Sequence, residues 1–398
     1  MNKLFIFINL TGSYKGGAQR RYINLFKELQ NSHNDYYLLI NNSLYNSCIA
    51  DGVLVSDKNI IVLQPLLNEI YQLKKNISND IPHAQRQTKS RFRIVLGKNK
   101  LFFKQLVTWY FFNLSLFKII RKYEIKIVYS VNIGGKYSWL LLLIIRINLI
   151  YGYNDASATR ISKKWIDFFS SEYWPLKYSY KIDFLSKDIV DSLNKKNVYI
   201  DPDKILITPN SFIDYTRFYP VYPKKPIITF CSRLTKFKNP DLFLDSIILL
   251  RARGVNNFNV AIIGEGVLLN PLKEKAEDNQ LSNITFYGGL ANPERILSQS
   301  SIFVSIQNDN NYPSQSLIEA MACENAIVAS DVGETRKLVT EKEGILVKLI
   351  AEEIANAIEN LFTSPGLIEK LGKNAREKVL KEQTIEKFTE YFYSITKI

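Results

Sequence analysis

Histidine and cysteine are scarce in this chain of 398 residues, with two of the first and three of the second. Cys48, Cys231 and Cys323 are too few and too scattered for a disulfide framework or a thiolate zinc site. His33 and His83 alone do not make a histidine-based metal centre, so no metal is expected. A chain so poor in cysteine fits a reducing compartment, and a cytoplasmic location is the expectation. Long apolar runs are also missing. "LVTWYFFNLSLFKII" (106–120) and "WLLLLIIRINLIYGY" (139–153) fall short of the ~20 residues that span a bilayer, and Arg146 interrupts the second. Both read as buried elements. The opening "MNKLFIFINLTG" is shorter than a signal-peptide core and reads as a first β-strand. Acid is lacking in one place: His83 to Tyr123 holds ten Lys or Arg and no Asp or Glu. With net charge +14 and interleaved aromatics, that block suits an anionic membrane surface or a solvated basic face. No nucleic-acid-binding motif accompanies it.

What is present is a repeated alternation of strand and helix. Strand-like apolar runs stand at 4–8, 35–40, 59–63, 125–130, 148–152, 182–186 and 204–209, and "RRYINLFKELQ" after the first of them has helical spacing. Residues 70–100 are polar and irregular and read as an insertion or a mobile loop. The second half repeats the theme at 226–232, 259–264, 283–288, 301–306 and 326–330, with helices between. Asn239 and Pro240 mark one helix start and Gly254 its stop. Apolar strands alternating with helices predict parallel sheets covered on both faces, hence an α/β chain of two Rossmann-like domains. The proline-rich join at 208–226 places the domains at 1–206 and 207–381, with a final amphipathic helix at about 382–398 expected to pack back on the first domain.

Open parallel sheets take ligands at the carboxyl ends of their strands, so the loops there carry the chemistry. After the first strand, Gly16 and Gly17 precede a helix, where backbone N–H groups can meet an anion. No phosphate-binding GxxxxGK[ST] or dinucleotide GxGxxG pattern is present. After "PIITFCS", Arg233 and Lys238 stand before a capped helix, suited to a diphosphate or simply exposed. Gly264, in "IIGEGV", allows a close approach by ligand or neighbouring loop. Glu319 has two readings. With Ser316 it fits the S-x-x-E capping box, and as a carboxylate with two acceptor oxygens it suits a vicinal diol such as a ribose.

Together "GGAQR", "TPNSFIDYTRF", "SRLTKFK", "GEG", "ITFYG" and "YPSQSLIEAMACENAIVASDVGE" resemble the retaining GT-B glycosyltransferases of family 4. The likeness covers the N-terminus and nearly all of the C-terminal half. Residues 45–200 share only strand rhythm. The resemblance implies two Rossmann-like domains facing across a cleft. It also implies transfer of a sugar from a nucleotide-diphospho-sugar, with retention and without metal or other cofactor. Arg233 and Lys238 match the diphosphate-binding pair, Gly16 and Gly17 the glycines facing phosphate and sugar, and Glu319 the ribose-binding glutamate of the E-x7-E motif. Pro313, Ser314, Gln315 and Ser316 match the loop lining diphosphate and sugar. The motif's first glutamate is absent: Asn311 stands eight residues before Glu319, Asn310 takes the place if "NYP" is aligned, and Asp309 is the nearest carboxylate. No acceptor-side histidine is matched; Asn132 and Asp155 stand in the corresponding neighbourhood.

The reading is a glycosyltransferase of cell-envelope polysaccharide or glycolipid synthesis, its acceptor a glycan or lipid-linked sugar and its site peripheral to the membrane. The lysine- and asparagine-rich composition suits a bacterial source. The alternatives are a GT-B sugar-nucleotide epimerase, a degenerate nucleotide-binding partner subunit, and a binder of anionic polymers.

Overall fold

The computed structural model describes residues 4–9, 17–32, 36–54, 57–63, 91–131, 133–154, 161–164, 167–169 and 171–396. The chain divides into two compact units, 1–208 and 209–398. In the first, strands β1 (Leu4–Asn9), β2 (Tyr36–Asn41), β3 (Ile60–Leu63), β4 (Ile125–Val131), β5 (Asn148–Tyr153), β6 (Lys181–Phe184) and β7 (Ile205–Ile207) form one sheet. Its order is β3-β2-β1-β4-β5-β6-β7, and every pair is parallel. Its described helices are α1 (Gly17–Ser32), α2 (Asn42–Ala50), α3 (Arg91–Lys122), α4 (Ile133–Ile144), α5 (Tyr173–Tyr178) and α6 (Lys187–Lys195). Leu39, Val128, Tyr151 and Ile182 build the core on one face of this sheet with Phe112 and Leu116 of α3. The buried carboxylate of Asp183 accepts from Tyr129 Oη and Thr208 Oγ1, each at 2.8 Å. Two such bonds offset much of the cost of taking that group out of water.

The second unit repeats the plan. Strands β8 (Lys225–Cys231), β9 (Asn259–Ile263), β10 (Ile284–Gly288), β11 (Ser300–Ser305), β12 (Ala326–Ser330) and β13 (Gly344–Val347) run in the order β10-β9-β8-β11-β12-β13, again all parallel. Helices α7 (Pro240–Ala252), α8 (Leu269–Asp278), α9 (Glu294–Leu297), α10 (Gln315–Ala322), α11 (Ala351–Thr363), α12 (Leu367–Glu382) and α13 (Ile385–Thr396) accompany it. β11 and β12 are buried along their whole length, which is why their middles, 302–304 and 326–329, read as apolar runs. Each sheet has the doubly wound order, and each has one point, β1/β4 or β8/β11, where the chain reverses its direction of travel across the sheet. The final helix is grouped with the second unit, where Phe388 meets Phe212 at 5.5 Å between ring centroids.

Two expectations change. Residues 91–100, read as irregular, belong to α3. The run 106–120, read as buried, is only half so: Val107, Tyr110, Phe111 and Leu114 are exposed. Among the described residues no helix is long and apolar enough to cross a membrane.

Candidate active site

Lys238 stands at the centre of the second unit's candidate site. β8 ends at Cys231, and the chain then turns through Ser232 to Asn239 before α7 begins. Both neighbouring loops hold this turn. Gly264 adopts φ +146°, and a Cβ there would stand 1.8 Å from Ser232 O; a Cβ on Gly266 would stand 2.2 Å from Leu234 O. The two glycines therefore press the loop after β9 against the turn. From the other side the Asn308 N–H donates to Phe237 O at 3.1 Å.

The turn is fixed so that Lys238 lines a pocket at the β8/β11 reversal, with Ser232, Ser305, Gln307, Ser314 and Ser316. This is where an open α/β sheet receives its ligand. Lys238 is 9% exposed, and its ammonium lies 5.2 Å from the Phe237 ring centroid. Burial, then the nearby Arg233 guanidinium, lowers its pKa from 10.5 to about 7. It forms no ion pair among the described residues. Arg233 itself is exposed. The Asn239 Nδ2 beside Lys238 is buried without a hydrogen-bond partner. A buried cation, a second cation raising its potential, an orphaned donor and the N-terminus of the 13-residue α7 together form a pocket complementary to an anion.

Glu319 lies on α10, with its side chain buried. The capping box expected of Ser316 and Glu319 does not form. α10 starts at Gln315 with Ser314 as its N-cap, so Ser316 is already inside the helix and Glu319 lies beyond its first turn. Gln315 holds Glu319 in place: its Nε2 donates to Glu319 Oε1 at 3.3 Å and to Phe212 O at 3.1 Å, while its Oε1 accepts from Ser211 Oγ at 3.0 Å. Pro313, half-buried, follows a cis peptide bond.

The three replacements for the motif's first glutamate differ in what they do. Asn310 is buried, and its Oδ1 accepts from the N–H of Tyr312 at 3.0 Å and of Glu334 at 3.2 Å. It ties the loop after β11 to the loop after β12. Asp309 is exposed and accepts the Asn310 N–H at 2.7 Å; Asn311 is half-exposed. Sequence reasoning missed Glu334, which pairs with Lys337 at 2.8 Å, while the Lys337 ammonium lies 5.3 Å from the Tyr312 ring centroid. It also missed Ser232 and Gln307; the rule that strand ends carry the site pointed to all three.

In the first unit, Gly17 is the first residue of α1, and Gly16, Asn132 and Asp155 lie outside the described residues. Near the carboxyl end of that sheet, Tyr22 Oη stands 3.3 Å from Tyr129 Oη and donates to Asn154 Oδ1 at 3.5 Å, extending the Asp183 network. Among the described residues no group of three or more His, Cys, Asp or Glu is placed to hold a metal ion.

Residues 213–378 match the family described as Glycosyl transferases group 1. The matched segment is less than half of the chain. It contains the whole Lys238 pocket together with Arg233 and Glu319. EpsD of Bacillus subtilis, named as a glycosyltransferase, is 21% identical over 250 residues, covering 58% of this chain and 65% of its own. A Campylobacter jejuni alpha-1,4-N-acetyl-D-galactosaminyltransferase, whose name puts its acceptor on PP-undecaprenol, is 24% identical over 178 residues, 44% of this chain and 49% of its own. The chain thus spans less than two thirds of the length of these curated relatives. Among solved structures, Anabaena Alr3699/HepE in complex with UDP and glucose superposes with a TM-score of 0.72 over 100% of both chains at 12% identity. The architecture of this chain is therefore the GT-B fold.

Proposed function

We propose that the protein is a retaining, metal-independent glycosyltransferase of family 4 type. It moves a sugar from a nucleotide-diphospho-sugar to an acceptor hydroxyl in bacterial envelope polysaccharide or glycolipid synthesis. One observation carries this: a buried lysine with no carboxylate partner among the described residues, at the sheet's reversal point, inside the segment that matches Glycosyl transferases group 1. Such a cation is matched by an anionic ligand, and Arg233 beside it doubles the charge available to a diphosphate. The bond between the anomeric carbon and the β-phosphate oxygen breaks as the acceptor oxygen forms its bond on the same face. The acceptor's proton passes to the departing diphosphate. Lys238 and Arg233 stabilise the negative charge that grows there, doing in place what a divalent cation does elsewhere. Glu319 accepts from the ribose hydroxyls. The lipid-borne acceptor of the Campylobacter relative supports an acceptor of that class.

Incubation of the purified chain with UDP- and GDP-sugars tests the reading by donor turnover, with and without EDTA. Arg233→Ala should lower turnover about a hundredfold or more, the cost of one lost stabilising donor. Unchanged turnover in that variant, or turnover abolished by EDTA, counts against the assignment. Commitment of Asn310 Oδ1 to two backbone amides favours one second reading, a nucleotide-binding partner subunit without transfer; tight UDP or GDP binding with no turnover of any donor is its signature.

A further inference from the structure

The helix α3 has a second face that the transferase chemistry does not use. Its inner face, Gln105, Thr108, Phe112, Leu116 and Ile120, is buried. On the outside, Val107, Tyr110, Phe111 and Leu114 are 47%, 57%, 46% and 39% exposed. Their spacing of i, i+3, i+4 and i+7 puts them in one stripe. The same stripe continues through Lys118, Arg121 and Lys122, all exposed. None of the three makes an ion pair among the described residues; instead the Arg121 guanidinium lies 5.4 Å from the Phe117 ring centroid and the Lys122 ammonium 5.0 Å from that of Tyr123. No Asp or Glu occurs anywhere in 91–122. Single exposed apolar residues are ordinary, but a contiguous stripe marks an interaction surface.

The order of the stripe says what covers it. Two turns are apolar and aromatic, and the next two are cationic. That is the pattern of a helix lying in a bilayer interface, with rings at the acyl boundary and cations at the phosphates. A second copy of this chain, also carrying net charge +14, would bring like charges together.

We propose that the outer face of α3 docks on an anionic lipid bilayer, with Tyr110 and Phe111 inserted at the acyl boundary and Lys118, Arg121 and Lys122 against lipid phosphates. The surface belongs to the first unit and the donor pocket to the second, so docking is read without donor and stands or falls apart from the transferase assignment.

The full chain is sedimented with vesicles of phosphatidylglycerol and phosphatidylcholine, and with phosphatidylcholine alone. Partitioning to the anionic vesicles should be at least about tenfold stronger and weaken with salt. K118Q/R121Q/K122Q should lower it about a hundredfold, at about fivefold for each cation. Y110S/F111S should lower it about tenfold or more, and all five positions are exposed, so thermal melting by circular dichroism should not change. Equal binding to neutral and anionic vesicles, or unchanged binding in both variants, overturns the proposal. So does a concentration-dependent dimer, formed without lipid and lost in Y110S/F111S.

Discussion

The lowered pKa of Lys238 makes nucleotide binding depend on pH in a defined direction. In the empty pocket the ammonium loses its proton at about pH 7, against 10.5 in an unperturbed lysine, because burial and then Arg233 disfavour the charge. A bound diphosphate restores the charge, so its arrival raises the pKa and takes up a proton. At pH 8, one unit above the empty-site value, about nine in ten empty sites hold neutral lysine, and binding takes up about 0.9 proton. At pH 9 about one empty site in a hundred is charged, against about half at pH 7, which weakens binding about fiftyfold between the two. The last ionisation of a nucleoside diphosphate lies near pH 6, so between pH 7 and 9 the ligand's own charge is nearly constant. Titration calorimetry of UDP or GDP in buffers of different ionisation enthalpy gives the proton count directly. The sign for the empty fold follows from the same shift. Between about pH 7 and 10.5 the folded state binds fewer protons than the unfolded, so unfolding takes one up and stability rises with pH across that window. Proton uptake near zero at pH 8, or an unchanged pH profile in Lys238→Met, would refute the reasoning.

Glu319→Gln keeps the bond to Gln315 but loses the charged acceptor, so nucleotide affinity should fall about tenfold to a hundredfold with little change in Tm; equal affinity by calorimetry removes the ribose assignment. Gly264→Ala combines a left-handed backbone with a Cβ driven into Ser232 O, and should cost about 3 kcal/mol, a fall of about 10 °C in the Tm of the second unit. Asn310→Ala leaves two backbone N–H groups without their acceptor and should cost about 2 kcal/mol, whereas Asn310→Asp keeps the acceptor; similar melting of both variants contradicts the tie described here.

The parallel strands were legible because burial on both faces writes them as apolar runs: "AIVAS" is β12 to the residue. β13 was not read, since "GILV" is four residues long and opens on glycine. α3 was missed because apolar residues stand on its outer face as well as its inner one, which blurs the helical period. The S-x-x-E match misled because helix starts are set by where the backbone turns, here at Ser314, and not by the spacing alone. Arg233, Lys238 and Glu319 could be singled out from local pattern. The duties of Gln315 and Asn310 could not, since their partners at Ser211 and Glu334 lie 104 and 24 residues away.

Gly333 sits at φ +51°, and a Cβ on it would stand 2.4 Å from the Cβ of Asn310. A Cβ there would also stand 2.7 Å from the Asn310 Cα, so trimming the side chain at 310 does not make room for one. In a randomised library of this chain, 333 should return glycine whatever stands at 310. The loop after β12 is thereby held to the loop after β11 by close backbone approach as well as by the hydrogen bond from the Glu334 N–H, and only a shift of one loop would admit a side chain there.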